Sequence, residues 1–125
     1  MDKKSFLEQR KPKVTTVTVD GQDIYLREPT IGDNNFVLFE KRAYLLDEAI
    51  RSGVDLDLSD EAEIEAHLKR VPDKFALARG AAIRISDKAG NLLFDAKSKD
   101  DLAELNSLGE SLLTAIQEGT EKKKG

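Results

Sequence analysis

The chain has 125 residues, 35% of them charged and 6% aromatic, with a net charge of −4 and no cysteine. That is one domain's length with a modest aliphatic core, and it excludes disulfides, thiolate metal ligands and a cysteine nucleophile. No apolar run approaches the roughly 20 residues a bilayer requires, the first residues lack the apolar stretch of a secretory signal, and the interspersed charges give no basic face for duplex nucleic acid. The expected address is cytosolic, with neither membrane nor nucleic acid as partner.

Residues 1–12 are polar, end at Pro12 and read as a flexible arm with room for one helical turn around Ser5–Gln9. A hairpin is expected over residues 13–27. Val14 to Val19 is β-branched throughout, which favours strand. Asp20-Gly21 is the dipeptide a tight turn prefers, because both central positions need positive φ. A two-residue loop sets Val19 opposite Gln22, Val17 opposite Ile24 and Thr15 opposite Leu26; a four-residue loop would also align the faces. Val17, Val19, Ile24 and Leu26 then share one face, with Tyr25 and Arg27 on the other.

Thr30-Ile31-Gly32-Asp33 has the form of a capping box, so a helix is expected over about 33–51. Phe36, Phe39, Ala43, Leu46 and Ile50 make its apolar stripe. Val37, Tyr44 and Leu45 widen that stripe beyond one docking face, and Ser52-Gly53 ends the helix. Ser59 is the expected cap of a second helix over about 60–70, with Ile64, Leu68 and Val71 on one face. Residues 73–85 read as a third helix through Ile85, from the spacing of Phe75, Ala78, Ala82 and Ile85. Ile83-Arg84-Ile85 entering a hairpin through residues 87–91 to Leu92–Phe94 is the alternative for 81–94. Ser98 and Asp101 form a second capping box for a helix over 99–117, carrying Leu102, Leu105, Leu108, Leu112 and Ile116. Gly109 lies inside that helix, Gly119 is its expected stop, and residues 119–125 are expected to be a disordered tail. The expected domain spans 13–118. Its fold class is α+β, helix predominant: an N-terminal β-hairpin followed by three to four helices.

Chemistry is sparse. His67 is the only histidine, which rules out a zinc site of Cys and His ligands within one chain. No nucleophile elbow, phosphate loop or dinucleotide glycine pattern occurs. Asp55 to Ser59 begins like a calcium loop. Asp60, however, stands where the turn needs Gly, and Ala66 where a bidentate Glu belongs, so the run reads as an acidic linker. Glu61 with Glu65 reads as a solvated pair. Lys122–Lys124, flanked by Glu118 and Glu121, reads as a solvated tail. No catalytic residue, metal ligand or cofactor is predicted, and the chain is not expected to be an enzyme. What remains is apolar helix surface. One reading makes it all core; the other lends its surplus, among it Phe36, Phe39, Tyr44, Leu105, Leu112 and Ile116, to a partner.

The hairpin Val14–Arg27 running into Glu28-Pro29-Thr30-Ile31-Gly32-Asp33 resembles that of the tail assembly chaperones of long-tailed phages. So do the Ala-rich segment Ala76–Ile85 leading into residues 87–94, and the capped helix from Ser98 to about Gln117. The resemblance covers most of the chain as a pattern of elements. It implies a protein of the host cytoplasm that binds the tape measure protein, keeps it soluble during tail assembly and is absent from the virion. It also implies further copies as partners, among them a longer form made by ribosomal frameshifting, which the Lys122-Lys123-Lys124 run suits. A structural virion protein of the head–tail connector or tail tube is the alternative; a small hydrolase has only scattered carboxylates in its favour.

Overall fold

The computed structural model describes the backbone of residues 1–124 and the side chains of residues 1–119. Helix α1 (Lys3–Gln9) is longer than the single turn expected of the arm. Asp2 caps it by accepting from the Ser5 N–H at 2.8 Å, and none of its residues is buried.

Strands β1 (Val14–Val19) and β2 (Gln22–Arg27) pair antiparallel in the two-residue register. Asp20 and Gly21 take φ of 51° and 80°, the positive pair a type I′ turn requires. Strand β3 (Ile85–Ser86) adds antiparallel to the other side of β2, giving the order β1-β2-β3. The helix expected through Ile85 is therefore corrected. It stops at Ala82 as α4 (Ala76–Ala82), and the chain beyond it takes the hairpin alternative. The unpaired side of β2 supplies the reason: the Arg27 N–H donates to the Arg84 carbonyl at 2.7 Å, which outweighs the helical preference of alanine-rich sequence. The return turn is held by Asp87, whose carboxylate accepts from the Ala89 and Asn91 N–H groups, and Ser86 bridges to Leu92.

Helix α2 (Ile31–Arg51) starts on a complete capping box. Thr30 Oγ1 accepts from the Asp33 N–H, and Asp33 Oδ2 accepts from the Thr30 N–H, each at 2.9 Å. Arg27 adds an ion pair to the same carboxylate at 2.6 Å, tying the helix start to the end of β2. Helix α3 (Glu61–Leu68) is capped by Asp60 and not by Ser59, whose hydroxyl and N–H instead donate to Asp57 within the linker turn. It ends at Leu68, before the restriction that Pro72 imposes.

The helix expected over 99–117 is two. Helix α5 (Lys99–Asn106) and α6 (Glu110–Lys124) meet at an elbow of Ser107, Leu108 and Gly109. Ser107 and Gly109 are weak helix formers, and the Ser107 hydroxyl satisfies the Glu104 carbonyl at 2.6 Å. The bend lets α5 pack on α4 while α6 lies on β1. Gly119, the expected stop, sits instead within α6 and is buried. A Cβ there would stand 2.9 Å from Val17 and 3.0 Å from Leu26. The tail expected beyond it lies, for its side chains and for Gly125, outside the described residues.

Two cores result. The larger joins the sheet to α4, α5 and α6 through Leu26, Ile85, Ala82, Leu102, Leu105 and Ile116. The smaller joins α2 to α3 through Leu45, Ala49, Ile64 and Leu68. Between them lies an ion pair of Arg79 with Asp73 at 2.5 Å, with Arg79 only 2% exposed. Its guanidinium carbon also stands 5.0 Å from the centre of the Tyr44 ring. Among the described residues no helix is long and apolar enough to cross a membrane.

Candidate functional site

Helix α2 has two apolar faces, and it buries the one less regular in sequence. At 3.6 residues per turn, Phe36, Phe39, Ala43, Leu46 and Ile50 fall within roughly 80° of one another. This is the stripe that reads as the docking face. In the structure the opposite side docks. Leu45 and Ala49 are buried against Ile64 and Leu68, Tyr44 meets Phe75 edge-on at 5.5 Å, and Val37 reaches the larger core. The stripe itself faces outward: Phe36 is 38%, Phe39 68% and Ile50 53% exposed. Only Leu46 is half-buried, against the smaller core. From Phe36 to Ile50 the stripe is about 21 Å long.

Its rims are charged. On one side a groove of about 210 Å³ separates α2 from the start of α5, with Glu40 and Asp47 on the helix and Lys97 and Lys99 across from them. On the other, Arg42 pairs with Glu61 at 3.0 Å and with Glu65, linking α2 to α3. The Glu65 carboxylate, through its hydrogen bond, holds the Arg42 pKa above its ordinary value. Next to this pair an open groove of about 600 Å³ runs between the two helices, floored by Leu38, Leu45, Leu68 and Val71. An apolar strip between polar rims suits an amphipathic helix.

The residues expected to serve a partner divide. Phe36 and Phe39 share the exposed stripe. Tyr44 lies on the docking side of α2, half-buried under Arg79. Leu105 and Ile116 are buried in the larger core, at 7% and 8% exposure. Leu112 is half-buried against the larger core and lines a shallow groove of about 360 Å³ beside β3, with Leu93, Phe94 and Leu108. Ile50, on the stripe, was not among the expected contact residues. Its spacing from Phe36 and Phe39 was visible, but the side of the helix that docks was not.

No cluster of three or more metal-ligating side chains occurs among the described residues. In the run Asp55–Ser59, whose Leu56 packs against the smaller core, Asp57 accepts from the Ser59 hydroxyl and N–H, bonds that hold the Asp57 pKa below its ordinary value. Comparison with protein families, curated proteins and solved structures finds no match for this chain.

Proposed function

We propose that this chain is a non-enzymatic assembly chaperone of the long-tailed phage type, which covers the tape measure protein and keeps it soluble in the host cytoplasm until the tail tube polymerises. The outward stripe of Phe36, Phe39, Ala43 and Ile50 on α2 is the observation that carries this reading. A tape measure protein is a long helix with apolar residues along it. A straight stripe with charged rims packs against such a helix side by side, ridge into groove. Many copies along one client give avidity while each contact stays reversible. The resemblance of the elements to tail assembly chaperones supports the same reading.

The test is co-expression with the cognate tape measure protein. Phe39→Asp combined with Ile50→Asp changes two exposed side chains, so each should alter stability by no more than about 0.5 kcal/mol. The native chain is expected to keep the client soluble and to co-purify with it. The double variant should lose both properties with an unchanged far-ultraviolet spectrum. Client binding that survives the double substitution overturns the reading. So does mass spectrometry that finds the chain in purified virions at structural stoichiometry, which would favour a connector or tail-tube protein.

A further inference from the structure

The stripe on α2 is not the only open surface: β1 is an edge strand without the usual guards. The sheet order places it at one side, and among the described residues no strand pairs with its outer edge. The Glu28 N–H donates to the Lys13 carbonyl at 2.8 Å, continuing the ladder in which odd-numbered residues of β1 bond to β2. Ladder bonds alternate in an antiparallel pair. The N–H and C=O groups of Val14, Thr16 and Thr18 therefore point out of the sheet edge. Natural edges are commonly protected by a charge, a proline or a bulge. Val14–Val19 contains none of these and is β-branched at every position. Its core-facing residues Thr15, Val17 and Val19 remain half-exposed.

We infer that this edge pairs with the same edge of a second copy of the chain, forming a two-fold dimer with one continuous six-stranded sheet. The occupant is chosen by charge and register. A two-fold axis normal to the sheet keeps each face on its own side, so the strands pair about Thr16 or Val17 with like faces together. Pairing about Thr16 sets its outward N–H and C=O against those of Thr16 of the partner subunit, and Val14 against Thr18 of the partner subunit. No charged residue lies within the paired segment. Antiparallel order also brings Lys13 of each copy to the end where Asp20 of the partner subunit stands, whereas parallel order would crowd Lys13 against its counterpart. The inference uses β1 and not α2, so it stands or falls separately from the client-binding reading.

Sedimentation of the full chain over a micromolar-to-millimolar dilution series, with amide hydrogen exchange at both ends, tests it. A reversible dimer is expected, with the Thr16 and Thr18 amides protected only at high concentration. Thr16→Lys, which sets like charges opposite each other at the axis, should weaken association about tenfold or more. Thr18→Lys should act in the same direction, and Phe39→Asp should leave the dimer intact. Protection of the Val17 amide, which belongs to the β1–β2 ladder, reports that each variant is folded. A chain that stays monomeric throughout overturns the inference. So does a dimer that survives both lysine variants, one that Phe39→Asp dissolves, or Thr16 and Thr18 amides that exchange freely at every concentration.

Discussion

Replacing Gly119 by alanine probes whether α6 lies as close to the hairpin as the fold requires. The new Cβ would stand 2.9 Å from Val17 Cγ1 and 3.0 Å from Leu26 Cδ1, where carbon atoms ordinarily keep about 3.5–4.0 Å. Val17 is β-branched and stiff, and Leu26 is the most fully enclosed large side chain of the core, so neither yields cheaply. Overpacking of this kind costs about 1–3 kcal/mol, while alanine regains about 1 kcal/mol over glycine within a helix. Gly80 in α4 is the internal control, because a Cβ there meets nothing within 4 Å. Gly80→Ala should therefore stabilise by about 1 kcal/mol, and Gly119→Ala should be about 1–3 kcal/mol worse than that. Urea unfolding followed by circular dichroism, with m-values held equal, reads both. If the two variants stabilise the chain alike, α6 does not seat its glycine on β1 and β2, and the larger core is packed in some other way.

The junction between the cores gives a second expectation. Asp73→Ala leaves Arg79 buried without its partner and should cost about 3–5 kcal/mol. Adding Arg79→Met should recover most of that loss; strict additivity of the two changes in urea unfolding would mean that the pair is not coupled. The third concerns acid. Burial raises the Asp33 pKa, but hydrogen bonds from Thr30 and the charge and hydrogen bond of Arg27 outweigh it and hold the value below the ordinary 3.8. The unfolded chain thus takes up the proton first. Asp33 contributes its stabilisation in full above the ordinary value and loses it as pH falls through the lower folded value. Asp33→Asn should be less stable than the native chain at neutral pH, with the gap closing below pH 3.8; a gap that widens there refutes the assignment.

What could be read in the sequence was local. The hairpin was legible from Asp20-Gly21 and the β-branched strand before it, since turn and register agree without help from the rest of the chain. The caps at Thr30 and Ser98 were legible for the same reason, but the second box is only half made: Asp101 accepts from the Asp95 N–H and not from Ser98. What failed depended on distant partners. Ile85 became strand because β2, some sixty positions earlier, had an open side to satisfy. Gly109 became an elbow because α5 must meet α4 while α6 meets the sheet. Gly119 looked like a stop but is a point of close approach, a role that depends on Val17 and Leu26 across the fold. Of the residues expected to bind a partner, Leu105 and Ile116 turned out to be core because one long stripe is in fact two short ones with separate duties.

The orientation of α2 has a cause of the same kind, and it bears on how a client could be held. Helix α3 is eight residues long, about 12 Å, and offers only Ile64 and Leu68. That covers Leu45 and Ala49 but not a stripe of about 21 Å holding two phenylalanines. The small Ala49 lets the helices approach closely, and Tyr44 finds Phe75 and Arg79 on the same side. The phenylalanine stripe is left outside because α3, the helix that docks on α2, is too short to cover it, while α6, which is long enough, lies on the sheet. Burying the exposed parts of Phe36, Phe39 and Ile50 against a partner would yield about 2–5 kcal/mol gross, at roughly 1.5–3 kcal/mol for each full side chain. Association costs about 4–15 kcal/mol in lost freedom. One stripe alone therefore holds a partner weakly, and firm coverage of a long helical client requires several linked copies acting together. A single isolated chain that binds such a client with nanomolar affinity through α2 alone would contradict this arithmetic.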